Sequence, residues 1–284
     1  YGAPRDLHSF PTRRSSDLHL LVATTPDVKM PDGKVKLAPY TTPGITDRYL
    51  ADKIYGFPLR ESSHRRSVVT ALIMATCGDV LTDPAQNAAA MDHDFETCTP
   101  YYYAADLTDR DIRVEATVTE HCTYYRFTFP QSDCANLLVS LARDSFIEIV
   151  NDHVMRGYEP GREGQAFFHI EFQKRFDRMG TWSGQNLSQG VVQQRGPQIG
   201  AFVTWTTRAG ESIEVKIGYS PASAEQAEQY LGVEIPGWKF KERKAAAKSA
   251  WQRSLETVRV QGGEEEQLIR SEERRGGKEC RSRW

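Results

Sequence analysis

Between Asp111 and Pro130 the chain reads DIRVEATVTEHCTYYRFTFP, and its side chains alternate with a period of two. Ile112, Val114, Ala116 and Val118 share one face, while Arg113, Glu115, Thr117 and Thr119 share the other. Period two marks a half-buried strand, because successive Cβ atoms point to opposite faces. Around Glu120 to Cys122 the parity flips, so that Tyr125, Phe127 and Phe129 line one side against Tyr124, Arg126 and Thr128. A chain reversal accounts for the flip, since a one-residue change of register exchanges the faces. Pro130 closes the second strand, because it cannot donate to an interior ladder. The stretch is therefore expected to be a hairpin whose aromatic rings are packing elements and not a ligand platform.

The same pattern recurs downstream. NLLVSLA, FIEIVND, AFFHIEFQ, GAFVTWTT and SIEVKIGYS each read as strands. The last two flank RAGE, a short glycine-containing loop of the hairpin kind. That pairing would set Ala201, Val203 and Trp205 against Ile213, Val215 and Ile217. Upstream, VKLAPYTTPG gives a short strand and a turn, and DPAQNAAAMDHD reads as a loop. SVVTALIMATCGDV fits either a buried strand pair or a short helix. An apolar content of 39% over 284 residues is enough for a large core. Many strands at short spacing specify a mainly β fold, a large antiparallel β-sandwich.

After Tyr219 the pattern changes. SAEQAEQYLGVEIPGW opens on Ser223, a residue suited to capping a helix. FKERKAAAKSAWQRSLETV carries Phe240, Ala247, Trp251, Leu255 and Val258 on one stripe, with Lys and Arg elsewhere. Two linker helices are expected, then VRVQGG as a short strand or linker. A helix pair after a sandwich looks like a passage to another domain.

Residues 19–222 thus read as the sandwich domain and 223–260 as the linker helices. Residues 1–18 read as a non-native or disordered tail, and 261–284 as a linker remnant and a non-native tail. SFPTRRSSDL and RSEERRGGKECRSRW have no apolar period and resemble peptides translated from sequencing-adapter DNA. The authentic chain would then run from about His19 to Ile269. On that reading the basic C-terminus is no nucleic-acid arm.

Several chemistries are set aside. The formal net charge is −2, which provides no global field for nucleic acid. No apolar run approaches the roughly 18 residues of a membrane span. Cys77, Cys98, Cys122, Cys134 and Cys280 contain no CxxC spacing and are expected to be buried free thiols. The dinucleotide, P-loop, zincin, nucleophile-elbow and EF-hand patterns do not occur. No metal site is assigned. His93 and Glu96 would share a helix face, but Pro100 and the tyrosines after it suit a strand better. His169, in FFHIEF, alternates away from Phe168 and Ile170 and is expected on the outer or sheet-packing face. Asp106, Asp109, Asp111 and Glu115 could be nominated as a glycosidic carboxylate pair, yet each reads as a solvated turn or strand residue. Trp205 is core by its alternation. Trp182, in the glycine-rich GTWSGQN, is the exposed candidate for stacking on a sugar ring.

Two blocks in a fixed order carry a family resemblance. DHDFETCTPYYYAADLTDRDIRVEATVTEHCTYYRFTFP resembles the N-terminal domain of glycoside hydrolase family 92, the calcium-dependent exo-α-mannosidases. EVKIGYSPASAEQAEQYLGVEIPGW and the helix after it resemble that family's end of sandwich and linker. The resemblance implies a sandwich of the galactose-mutarotase-like kind, facing a mannose-containing glycan and packed against a helical-barrel domain. That further domain of the same chain would supply the acid and base carboxylates and the calcium. No catalytic residue and no cofactor are then expected in the present segment. His64, the only counterpart of the family's histidine-rich stretch, joins His93 and Trp182 as substrate-binding candidates. A secreted or periplasmic location is implied. Two other readings stay open: an autonomous carbohydrate-binding or structural module, and a mutarotase-like enzyme. The latter would need His64, His93 or His169 beside a carboxylate in an open cleft.

Overall fold

The computed structural model describes residues 28–29, 35–36, 53–54, 56–59, 71–99, 101–160 and 164–255. The first strands are β1 (Val28–Lys29), β2 (Val35–Lys36), β3 (Lys53–Ile54), β4 (Phe57–Pro58), β5 (Ala71–Cys77) and β6 (Ala89–Ala90). A 3-10 turn at His93–Phe95 precedes β7 (Thr97–Thr99), β8 (Tyr102–Leu107), β9 (Ile112–Val118) and β10 (Cys122–Phe129). Next come β11 (Ser132–Leu141), β12 (Ser145–Asn151), β13 (Val154–Pro160) and β14 (Gln165–Phe172). The strands end with β15 (Arg178–Ser183), β16 (Asn186–Gln189), β17 (Gln193–Gly196), β18 (Ile199–Thr207) and β19 (Glu211–Ser220). Helices α1 (Ala224–Glu234) and α2 (Phe240–Leu255) follow.

The strands form two main antiparallel sheets. The larger runs β17-β12-β13-β14-β19-β10-β9-β8-β7, and the smaller runs β16-β15-β18-β11-β5-β4. One apolar core fills the space between them. It takes Val114, Tyr125, Phe127, Ile170 and Ile217 from the larger sheet, and Ile73, Leu137, Val203 and Trp205 from the smaller. The ambiguous segment around Ala71 is a strand, β5, paired with β11. The stretch expected to be a loop before His93 contains β6, which pairs with β3.

The hairpin at Glu120 to Cys122 forms as its parity requires. Thr123 pairs with Val118, Tyr125 with Ala116 and Phe127 with Val114. The Thr119 N–H donates to the Cys122 carbonyl at 2.9 Å and closes the reversal. The expected hairpin at RAGE does not form. β18 pairs with β11 and β15 in the smaller sheet, whereas β19 pairs with β10 and β14 in the larger. Ala201, Val203 and Trp205 do meet Ile213, Val215 and Ile217, but across the core between sheets. The connection is an arch. It docks on the other crossing, between β10 and β11: the Gly210 N–H donates to the Phe129 carbonyl at 2.9 Å, and the Thr207 hydroxyl donates to the Pro130 carbonyl at 2.8 Å.

The outer face of the larger sheet carries both helices and a second core. Tyr102, Ala104, Cys122 and Tyr124 pack there against Leu231, Ile235 and Phe240. Gly218 of β19 lets α1 approach. A Cβ at that position would fall 2.9 Å from Leu231 Cγ and closer still to the Ala227 carbonyl. The four described cysteines are free thiols, with Cys122 buried and Cys77, Cys98 and Cys134 half-buried.

Candidate functional site

The helix-bearing face is where polar chemistry gathers, and it begins with how the helices are held. Ser223 caps α1 from an extended backbone, its hydroxyl accepting from the Gln226 N–H at 3.1 Å. At the other end of α1, Glu234 reaches the β9–β10 turn. One of its carboxylate oxygens accepts from the His121 N–H at 3.0 Å and from the Thr119 hydroxyl. The other lies 2.5 Å from His121 Nδ1, and the His121 ring stacks on Tyr230 at 3.9 Å.

Helix α2 is seated on Glu115. This carboxylate, 6% exposed, accepts from the Tyr102 hydroxyl at 2.6 Å and from Arg126 Nε at 2.6 Å. Phe240 packs edge-on against Tyr124 at 5.2 Å, with the Arg126 guanidinium 4.6 Å from its ring centroid. Lys244 lies over the Tyr102 ring. Burial, reinforced by the Glu115 carboxylate, pushes the Tyr102 phenol up to about 12. Burial pulls the Lys244 ammonium down from its usual value. Tyr124, hydrogen-bonded to Glu214, is raised further, chiefly by burial.

Beside this seat lies a third group. Lys216 is 5% exposed, pairs with Glu171 at 2.7 Å and stands 4.3 Å from the Trp238 ring centroid. Next to the pair opens a cleft of about 480 Å³, bounded by the β12–β13 turn, β14, α1 and the α1–α2 connection. His169 lines it, with Nε2 3.8 Å from Glu171 Oε1. Burial holds the His169 imidazole below its ordinary value, against the opposing pull of Glu228 and Glu171.

The sequence candidates fall in different places. His64 lies outside the described residues. His93 belongs to the 3-10 turn ahead of β7. Trp182 is not the exposed loop residue expected of it. It sits in β15 at 2% exposure, packed with Leu138 and Phe202 on the outer face of the smaller sheet. The glycines around it signal close packing: a Cβ at Gly200 would collide with the Trp182 ring. Of the nominated carboxylates, Asp106 is tied to Arg113 Nη1 at 2.8 Å, and Asp109 and Asp111 lie in the turn between β8 and β9. Glu115 is buried where a solvated residue was expected. The mutarotase-like reading required a histidine beside a carboxylate in an open cleft. His169 lines a cleft with two carboxylates, Glu171, which is committed to Lys216, and Glu228, on the exposed side of α1. The sequence assigns no role to Arg126 or Lys216, and it does not reveal the cleft beside His169. The usable signal was opposite charge on outward strand positions, such as Glu171 across from Lys216, but it needs the β14–β19 pairing to be known.

A family model for the glycosyl hydrolase family 92 N-terminal domain matches residues 12–220. Among solved structures, the family GH92 α-mannosidase BT3965 from Bacteroides thetaiotaomicron is 22% identical, with a TM-score of 0.69, over 76% of this chain and 32% of its own. The inverting mannosidase BT2199 from Bacteroides thetaiotaomicron VPI-5482 is 19% identical, with a TM-score of 0.68, over 76% of this chain and 30% of its own. The GH92 family glycosyl hydrolase ccman5 gives 19% identity and a TM-score of 0.64, over 76% of this chain and 32% of its own. At such identities the likeness is one of fold, and the chain spans about a third of the length of these proteins. No curated protein matches significantly. Because the family match covers most of the sequence and nearly all of the sandwich, the chain belongs to the glycosyl hydrolase family 92 N-terminal domain family.

Proposed function

We propose that this sandwich is the N-terminal domain of an α-mannosidase acting on mannose-containing glycans. In this reading a helical domain of the same polypeptide supplies the acid and base carboxylates and the calcium ligands. The match over residues 12–220 carries the proposal. The helix-bearing face supports it, because α1 is tied to the β9–β10 turn through Glu234 and α2 is packed on the sheet through Phe240 and Lys244, an arrangement that can hold a following domain in one orientation. The sandwich would shape one wall of the sugar cleft, and His64 and His93 are proposed to approach the glycan from it. Among the described residues no group of three or more His, Cys, Asp or Glu side chains could hold a metal ion. No described helix is long and apolar enough to cross a membrane, and the proposed location is secreted or periplasmic.

The test is expression of the reading frame beyond Ile269 together with this sandwich. Calcium-dependent release of mannose from an α-mannoside is expected from the longer protein and not from the 284-residue chain. A frame that stops at the linker favours the autonomous module. Mannose release by the 284-residue chain itself overturns the proposal.

A further inference from the structure

We propose that the cleft beneath α1 is a binding site for a small neutral polyol of the pyranose class, and this inference does not depend on the mannosidase reading. It starts from His169. The side chain is only 8% exposed, yet its ring nitrogens make no hydrogen bond among the described residues. The nearest carboxylate oxygen, Glu171 Oε1, is 3.8 Å away, beyond hydrogen-bond length. Burial keeps the ring neutral, so it presents one donor and one acceptor. The ring nitrogens are not sealed off, and His169 lines the cleft, so they are open to a ligand that enters it.

The charges around the cleft are mostly spent. Glu171 is neutralised by Lys216 at 2.7 Å. Arg175 is neutralised by Asp152 at 2.9 Å, and Asp152 also holds His153 at 2.7 Å. What remains is the neutral imidazole of His169, the amide of Gln173, the amide nitrogen of Asn151, whose Oδ1 accepts from the His153 N–H at 3.0 Å, and the carboxylate of Glu228, which forms no ion pair among the described residues. The indole of Trp238 closes one wall.

The available set therefore mixes donors and acceptors around an aromatic wall and carries one residual negative charge. An anion would meet Glu228 with no uncommitted cation to offset it. An apolar ligand would leave His169 unmet. A ring bearing several hydroxyls can donate to Glu228, exchange hydrogen bonds with His169, accept from the Asn151 Nδ2, and lay its C–H groups toward the indole. A cleft of about 480 Å³ is of the size that holds such a molecule.

The experiment uses the 284-residue chain and free D-mannose and D-glucose, with D-glucosamine and inorganic phosphate as contrasting probes. Imidazole resonances are followed by nitrogen-edited NMR, with His169→Asn assigning the His169 signal. Millimolar neutral sugar should shift that signal. Glu228→Gln, at an exposed helix position, should weaken the affinity about tenfold while leaving the melting curve unchanged. An unmoved His169 signal, equal binding by Glu228→Gln, or tighter binding of glucosamine or phosphate than of the neutral sugars would each overturn the assignment.

Discussion

Glu115 shows how one residue can sit on the polar face of a strand and still be buried. Its alternation with Val114 and Ala116 was legible in the sequence, and it does point away from the main core. What the local pattern does not carry is that a helix 125 residues further on covers that face. Arg126 compensates the carboxylate and Tyr102 donates to it, so removing it strands a largely buried cation and a phenol. Glu115→Ala is expected to cost about 3–5 kcal/mol, the range for breaking a buried pair by deleting one partner. Glu115→Gln, which keeps the hydrogen-bonding shape, should cost less. Urea unfolding midpoints of the two variants test the order. Trp182 teaches the converse. Neighbouring glycines suggested a loop, but Gly180 and Gly200 are small because aromatic rings lie against them. Sequence alone does not separate a glycine that bends a chain from one that makes room.

His169 adds a pH dependence with a definite sign. Its folded-state value lies below the ordinary 6.5, because burial penalises the imidazolium. Between that lower value and 6.5 the unfolded chain binds a proton that the folded chain refuses. Its contribution to stability is therefore complete above 6.5 and is lost as pH falls toward the folded value. Replacing His169 by Gln should narrow the difference in unfolding free energy between about pH 7.5 and pH 5.5. An unchanged difference would show that other groups set the acid limb.

At the scale of elements, the hairpin of β9 and β10 was readable because a change of parity is a local event. The arch between β18 and β19 was not. Two alternating strands around a short glycine-containing loop look the same whether they share a sheet or face each other across a core. The choice is made by distant partners, β11 and β15 for one strand and β10 and β14 for the other. The contact between α1 and the larger sheet is likewise tertiary, and it rests on Gly218. A methyl group there would press on Leu231 and the Ala227 carbonyl, neither of which is the loose end of a flexible side chain. Gly218→Ala should lift α1, lower the melting temperature and speed amide exchange in Ala224–Glu234, while exchange in β11 and β18 stays slow. Ser223→Ala tests the same helix at its cap and should cost about 1 kcal/mol.

The whole molecule is a sandwich with a roof on one side, and the roof joins its two kinds of interior. The main core lies between sheets and is apolar. The second lies between the larger sheet and the helices, and combines rings with Glu115, Arg126 and Lys216. Ion pairs that need an aromatic lid make the helices dependent on the sheet and the outer face of the sheet dependent on the helices. A chain ended after Pro236 would lose Phe240 and the Lys244 contact and bare the rings of Tyr102 and Tyr124. Burial of a phenylalanine contributes about 1.5–3 kcal/mol, so this loss alone is a sizeable part of a typical folding free energy. The shortened chain should melt earlier and bind a hydrophobic dye that the 284-residue chain excludes. If it keeps the melting temperature and leaves the dye unbound, α2 is an appendage and the two interiors are independent. If it loses both, orientation of anything beyond α2 is coupled to the packing of the larger sheet.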